Sequence, residues 1–279
     1  MARPNRLSAS SWPVKQLGRR RTSLRFLRLG MPSLEWITTM LDATEALAFK
    51  VAEKTMATPR MVWLRLSPLG PSMSFQSGQY VVLTDADEGV APRAYSIANA
   101  PRPDGNLDVL VSTVPGGETS SWILKDLTLG ETVSVTGPYG SFIPGPGDSG
   151  PRLYLAGGAG LGPILALLED SLDASEVETC LIISARTDPD VACKVRLLEW
   201  QNRLPRFHFL RTLTRADGVP PLGRIPIILP SLFPSLDGYS VFSAGGPGFV
   251  DACAETATRL GAAPARVHTE AFFSEPQPW

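Results

Sequence analysis

Near residue 150 the hydrophobic pattern of the chain changes its period, and this constrains the fold more than composition does. Before it, short apolar segments such as Met61-Val62-Trp63-Leu64-Arg65-Leu66 and Gln79-Tyr80-Val81-Val82-Leu83 are separated by glycine and proline, and Leu107 to Thr113 and Thr132 to Thr136 continue the series. Successive side chains of a strand point to opposite faces, so segments of this length and alternation predict the strands of an antiparallel barrel. After it, Arg152-Leu153-Tyr154-Leu155-Ala156 reads as a short buried strand, followed by a glycine-rich turn and a helical run from Pro163 to Leu172. Strands over 180–185, 207–211 and 239–243 then alternate with helices around 190–203 and 248–260. Alternating strand and helix implies a parallel sheet covered by helices on both faces. The expected fold is therefore two-domain: an antiparallel β-barrel over about 46–148, then a doubly wound α/β domain over about 149–273. The stretch Gly145-Pro146-Gly147-Asp148-Ser149-Gly150-Pro151, dense in turn formers, is the expected hinge between them.

A chain of 279 residues is long enough for two such cores. Its 26 basic and 27 acidic residues leave a formal net charge of -1, which gives no support to nucleic acid as a partner. The three cysteines, Cys180, Cys193 and Cys253, form no C-x-x-C pair and cannot supply a four-thiolate cluster. The bland reading is idle thiols in a reducing cytoplasm. With His208 and His268 as the only histidines, no metal-ligand spacing exists and no metal site is expected. No apolar run is long enough to span a membrane. Residues 1–45 stand apart: eight basic residues from Arg3 to Arg28 precede the first acidic one, Glu35. A targeting peptide would have this composition. The reading preferred here is a disordered basic arm, or sequence upstream of a start at Met31 or Met40. Residues 274–279 form a separate C-terminal tail.

Four glycine- or arginine-bearing constellations carry chemistry. Arg93-Ala94-Tyr95-Ser96-Ile97-Ala98 places a guanidinium that can pair bidentately with a diphosphate two positions from a ring that can stack on a flat cofactor. Gly116-Gly117-Glu118-Thr119-Ser120-Ser121-Trp122 puts glycines ahead of a helix start, whose free N–H groups make an anion site or a plain N-cap. Gly137-Pro138-Tyr139-Gly140-Ser141-Phe142 is a tight turn. Gly157-Gly158-Ala159-Gly160-Leu161-Gly162-Pro163 joins strand to helix with small residues, which lets a dinucleotide diphosphate approach the backbone. Each alone is weak. Their order is not.

Read in order, R-x-Y-S, G-G-x-x-S-x-W, G-P-Y-G-S-F, A-G-G-x-G-x-x-P and G-x-P-x-x-V (Gly245 to Val250) resemble the ferredoxin–NADP reductase family of flavoproteins, nearest its bacterial oxygenase-reductase branch. The likeness covers about residues 48 to 272. It implies an FAD-binding barrel and a nicotinamide-nucleotide domain, with hydride passing from nicotinamide C4 to flavin N5 and electrons leaving to an acceptor. Arg93 would bind the flavin diphosphate, Tyr95 would stack on the isoalloxazine and Ser96 would reach its N5, with Ala94 and Ile97 beside them. Gly116, Gly117, Thr119 and Ser120 would hold the diphosphate from the helix side, Trp122 packing nearby. Gly157, Gly158 and Gly160 would form the nucleotide turn. Ala244, Gly245, Gly246 and Pro247 would close over the nicotinamide, with Tyr95, Ser96 and Ala244 nearest the chemistry. Glu270 and Phe272 match the closing E-x-F strand of the family. Trp279 would be an aromatic lid over the flavin, or else the end of a frayed tail.

Two departures stand out: many relatives have Cys-Gly where this chain has Ala244-Gly245, and Thr where it has Ala159. Both remove a polar group expected near the nicotinamide, which puts turnover in question before binding. Arg186 and Thr214-Arg215 fit a 2′-phosphate, whereas Asp188 or Asp190 fits a free ribose hydroxyl, so NADH and NADPH both stay open, with a lean to NADH. Relatives often carry a fused iron–sulfur domain. Lacking its cysteines, this chain would need a separate ferredoxin or oxygenase subunit as acceptor, in the cytoplasm. The competing readings are a flavin reductase that releases reduced flavin and a non-catalytic nucleotide-binding module.

Overall fold

The computed structural model describes residues 46–272 apart from 87–88, 115, 173–176 and 216–222, and the basic arm and Trp279 lie outside the described residues. The first half forms one antiparallel sheet of β1 (Leu47–Thr58), β2 (Met61–Pro68), β3 (Tyr80–Asp85), β4 (Arg93–Ser96), β5 (Leu107–Ser112) and β6 (Thr132–Tyr139). Its order is β4-β3-β6-β1-β2-β5. A single antiparallel bridge, Ile97 to Val109, joins the residue after β4 to β5, so the two edges of the sheet meet. Irregularities in β1 between Val51 and Glu53 and between Met56 and Thr58 bend the strand as this rolling requires. One face of the sheet fills with Phe49, Leu64, Leu66, Val81, Leu83, Val109 and Val135. Helix α1 (Glu118–Lys125) adds Ile123 to the same core.

The second half is a parallel sheet of β7 (Arg152–Gly157), β8 (Thr179–Ala185), β9 (Phe207–Leu213), β10 (Ser240–Gly245) and β11 (Val267–Ala271), in the order β11-β10-β7-β8-β9. Its three central strands, β10, β7 and β8, are buried on both faces, and alternate residues enter different cores. Leu153, Leu155, Ile182 and Val241 meet α4 (Ile225–Leu232) and α5 (Pro247–Arg259) on one side. Tyr154, Ala156, Leu181, Ile183 and Phe242 meet α2 (Leu161–Leu172) and α3 (Lys194–Arg203) on the other. That is why the strands read as continuous apolar runs.

The second of these cores does not stop at the domain boundary. Met61, Trp63, Ala98, Leu110 and Phe142 from the first domain belong to it, together with Leu161, Ile164, Leu165 and Leu168 of α2. Alternation in β5 explains this. Leu107, Val109 and Val111 point into the barrel, so Asp108 and Leu110 face the second domain. Asp108 has no accessible surface. Arg65 grips it through Nε at 2.7 Å and Nη2 at 3.0 Å, and Arg102 Nη2 donates to it at 3.0 Å. Arg102 also pairs with Glu169 of α2, whose carboxylate accepts the Ala100 N–H at 2.8 Å and pairs with Arg196 of α3. A chain of charges thus ties both domains together beside an apolar seam.

The connector expected to be a hinge is anchored. Asp148 is buried, accepts the Gly145 N–H at 2.6 Å and takes the Ser240 hydroxyl at 2.6 Å, with Arg266 and His268 at 3.9 and 2.9 Å. Its glycines and prolines make turns, and its one acid fixes them to β10 and β11.

Removing one member of a buried ion pair leaves its partners unmatched, at a cost of about 3–5 kcal/mol when both are fully buried. Arg65 and Arg102 keep side-chain exposures of 32% and 27%, so they can turn toward water. Asp108→Ala should therefore cost about 2–3 kcal/mol, read from the urea midpoint at constant m-value. A loss below about 0.5 kcal/mol, the range of ordinary surface substitutions, would remove the network from the account of stability.

Candidate functional site

The glycine turn after β7 is pressed against the end of β10 at Gly160, and Gly162 packs against Ser96 and Ala98 at the end of β4. On β4, Arg93 and Tyr95 share a face, and burial deepens along it from exposed Arg93 through half-buried Tyr95 to Ile97. The Arg93 guanidinium touches only the Pro92 carbonyl at 3.2 Å and has no carboxylate partner among the described residues. Tyr95 packs its ring against the barrel core. Burial pushes its hydroxyl up to about 12, against a small opposing pull from Arg93. It therefore stays neutral. Ala94 is exposed, and Ser96 lies opposite Tyr80 on β3.

The start of α1 comes to the same strand because the Thr119 hydroxyl donates to the Ala91 carbonyl at 2.7 Å, two residues before Arg93. The Ser120 hydroxyl accepts the Val114 N–H at 3.2 Å and donates to the Gly117 carbonyl at 3.4 Å. Both hydroxyls thus hydrogen-bond within the loop and to the segment approaching β4. What the helix start also presents is its backbone: the first N–H groups, of Glu118, Thr119 and Ser120, have no acceptor within the helix. Gly116, at φ 77°, opens onto free space beside them. Trp122 packs on the barrel core.

In the second domain, Gly157 ends β7 and a short turn over Gly158–Gly160 leads into α2. These glycines have different reasons to be glycine. A Cβ on Gly160 would stand 2.0 Å from the Ala244 carbonyl oxygen, so the turn is pressed against β10. Gly158, at φ 58°, faces open space. Gly157 and Gly245 lie under the Phe249 ring, while Gly246 is open and Pro247 begins α5. The Phe272 N–H closes onto the Gly245 carbonyl at 2.7 Å.

Glu270 pairs with Ala244 in the β10–β11 ladder. Burial alone pushes its carboxyl up to about 7. Its charge also raises the Tyr80 hydroxyl, second only to the effect of burial there. Tyr80 in turn sits against Tyr139, ring centres 5.6 Å apart, directly opposite it across the β3–β6 pair. Neither tyrosine was singled out as a site residue from sequence. The repeated pattern Gly78-x-Tyr80 and Gly137-x-Tyr139 was the available signal.

Two expected site residues point elsewhere. Ile97 is fully buried and its N–H donates to the Gln79 carbonyl at 3.0 Å, so neither side chain nor N–H is free for a cofactor. Ala244 is fully buried among Phe242, Tyr154 and α2, so its methyl packs the core. Arg186 and Arg215 are both exposed at the far end of the sheet, next to one another beyond β8 and β9.

Residues 48–143 match the family model described as an oxidoreductase FAD-binding domain, and residues 154–254 match that of an oxidoreductase NAD-binding domain. The chain is 30% identical over 240 residues to terephthalate 1,2-dioxygenase reductase component 1 of a Comamonas species, covering 84% of this chain and 70% of that protein. It is 31% identical over 242 residues to the reductase subunit of an aromatic O-demethylase from an Amycolatopsis species, covering 85% and 71%. Among solved structures, the Amycolatopsis cytochrome P450 reductase GcoB superposes with a TM-score of 0.76 at 29% identity, over 83% of this chain and 71% of that one. A ferredoxin NADP+ reductase from Neisseria gonorrhoeae with bound FAD and NADP shares the fold, at a TM-score of 0.72 and 22% identity, over 81% and 99%. An antiparallel domain joined to a doubly wound one, both matched by their own family models, has one reading: the chain belongs to the ferredoxin reductase family and is an FAD-dependent oxidoreductase that draws on NAD(P)H.

Proposed function

We propose that this reductase passes its electrons to a separate protein acceptor, a ferredoxin or an oxygenase component, from FAD held between β4, α1 and the domain junction. The observation that carries the reading is the packing of Gly162, at the start of α2, against Ser96 and Ala98, each 3.8 Å from where its Cβ would stand, which brings the nucleotide turn of one domain to the flavin strand of the other. The residues present fit the cofactor. Arg93 has no carboxylate partner among the described residues, free N–H groups stand at the α1 start, and Gly116 and Gly158 leave backbone uncovered. When bound, FAD supplies the hydride-accepting and electron-releasing chemistry that no side chain can.

The chain's own residues bind and orient. Arg93 neutralises the flavin diphosphate, and the N–H groups of Glu118, Thr119 and Ser120 complete that cradle with the partial positive charge of the helix end. Tyr95 offers its ring face to the flavin, and its raised hydroxyl keeps charge away from it. Ser96 would offer its hydroxyl to the flavin ring. The open Gly158 backbone admits the nucleotide diphosphate, and Gly245, Gly246 and Pro247 line the nicotinamide side. Phe272 fixes Gly245 through its N–H. Glu270, which titrates near neutrality, holds or yields a proton at its carboxyl beside Tyr80. The relatives named as dioxygenase and demethylase reductase components support an oxygenase system as the destination. Free Cys180, Cys193 and Cys253 support a reducing, cytoplasmic setting, and among the described residues no helix is long and apolar enough to cross a membrane.

Adding NADPH or NADH anaerobically to the purified protein should bleach a retained yellow chromophore. Activity that appears only with added flavin would replace this reading with that of a flavin reductase, and no bleaching would leave a binding module. Arg93→Ala should lose the flavin, since truncating one partner of a desolvated charge pair costs roughly 2–5 kcal/mol. Full flavin occupancy on purification of that variant would refute the assignment. Glu270 supplies a third test. Its carboxyl rises from 4.5 to about 7 on folding, so the native state holds the extra proton between those values. Its contribution to stability is complete below the lower value and is lost as pH rises through the upper one. Glu270→Gln should flatten the fall in unfolding free energy over that window. An unchanged pH profile of stability would show that the carboxyl is not desolvated.

A further inference from the structure

We propose that Glu169 is a positioning residue for hydride transfer: by accepting the Ala100 N–H across the seam, its carboxylate fixes the angle at which the nucleotide turn is presented to the flavin strand. The inference rests on the flavin and nucleotide sites proposed above and adds to them a residue that touches neither ligand.

The helix that carries Glu169 is continuous with the nucleotide turn, since Gly158–Gly160 leads directly into α2. The start of α2 lies on the flavin strand, where a Cβ on Gly162 would stand 3.8 Å from the Ser96 carbonyl oxygen and from the Ala98 Cβ. Further along, α2 meets the continuation of the same strand, where Glu169 Oε2 accepts the Ala100 N–H at 2.8 Å. These two contacts are about 10 Å apart along the helix axis. A helix held at one point can swing about it, and a second contact removes that freedom. Leu161, Ile164, Leu165 and Leu168 also hold α2 on the seam, but apolar attraction is non-directional and tolerates a change of angle. A hydrogen bond to a carboxylate demands both distance and alignment, and it is stronger than a neutral one.

The carboxylate is itself clamped by one arginine from each domain, so it cannot follow the N–H if the helix turns. Arg196 of α3 pairs with Oε1, and its guanidinium lies 4.5 Å over the Trp200 ring. Arg102 Nη2 stands 3.4 Å from both oxygens and donates at 3.0 Å to the buried Asp108. Apart from the connector, the other ion pair that crosses the seam among the described residues is Arg60 with Asp190. Those groups are 3.7 Å apart and Arg60 is 46% exposed, so that pair adds little.

The consequence is chemical because hydride transfer requires the reacting atoms about 3–3.5 Å apart and aligned. Gly160 is pressed onto the Ala244 carbonyl, so a swing of α2 about Gly162 carries the end of β10 with it, including Gly245 and Gly246. A misplacement of about 1 Å can cost about 100-fold in rate.

Two substitutions separate the bond from the charge. Glu169→Gln keeps an oxygen for the Ala100 N–H and gives up the charge facing Arg102 and Arg196, which are 27% and 33% exposed and can turn to water. Glu169→Asp keeps the charge and, one methylene shorter, does not reach the N–H. The test is anaerobic stopped-flow reduction of each flavin-loaded protein at saturating NADH or NADPH, whichever reduces the native protein faster. It reads the bleaching rate and the long-wavelength charge-transfer absorbance of the nicotinamide–flavin pair, with the urea midpoint measured alongside. Flavin content and coenzyme affinity should stay native in both variants. Glu169→Asp should be reduced at least about tenfold more slowly, with weakened charge-transfer absorbance, whereas Glu169→Gln should stay within about twofold of the native rate although its urea midpoint falls. A native rate and absorbance in Glu169→Asp would overturn the proposal, as would rates that follow the urea midpoints, which would leave Glu169 a role in stability alone. A native protein that retains no flavin, or that neither coenzyme bleaches, would overturn the proposed reductase site and this inference with it.

Discussion

Asp108 is a carboxylate with no accessible surface at the seam between two domains, and the arrangement around it follows from that. A buried charge is tolerated only when its lone pairs are filled, and here Arg65 and Arg102 fill them. Arg102 reaches on to Glu169, which binds the backbone of Ala100 and the side chain of Arg196. Glu169 lies in the helix that begins at the nucleotide turn, and Ala100 lies four residues beyond Ser96 on the flavin strand. The charge network thereby sets the distance between the two halves of the site, and the apolar contacts of Leu110 and Ala98 with α2 fill the space it leaves.

Much of this was legible in the sequence because the relevant constraints are local. Period-two apolar segments became the strands of the first sheet, and the strand–turn–helix alternation after residue 150 became the parallel sheet. The glycine turns were readable for a related reason: Gly160 and Gly245 are required by backbone approaches that allow no side chain. Motif matching alone did not show that Ile97 and Ala244 are buried, since position in a pattern does not say which face of a strand a residue occupies. Alternation through Tyr95, and through Phe242, would have turned both side chains into the cores.

What could not be read were pairings distant in sequence. Nothing local connects Arg65 to Asp108, Tyr80 to Tyr139, or Asp188 to Arg211. Each depends on strands brought together by the sheet order, and each changes the chemistry assigned to the residues involved. Asp188 reads as a hydroxyl acceptor in the sequence and is a carboxylate paired with Lys194 and Arg211 in the fold. Asp148, one acid in a run of turn formers, reads as part of a slack hinge and is instead a buried anchor.

That anchor has a mechanical consequence. A two-domain reductase can in principle open like a clamshell to admit its nucleotide, which needs a compliant strap and a seam that separates at little cost. Here the strap is fastened to β10 and β11 through Asp148, and the seam is an uninterrupted apolar core flanked by ion pairs. Opening the two domains would therefore expose that core and break the ion pairs beside it, whereas a change confined to side chains and short segments at the mouth of the site leaves both intact.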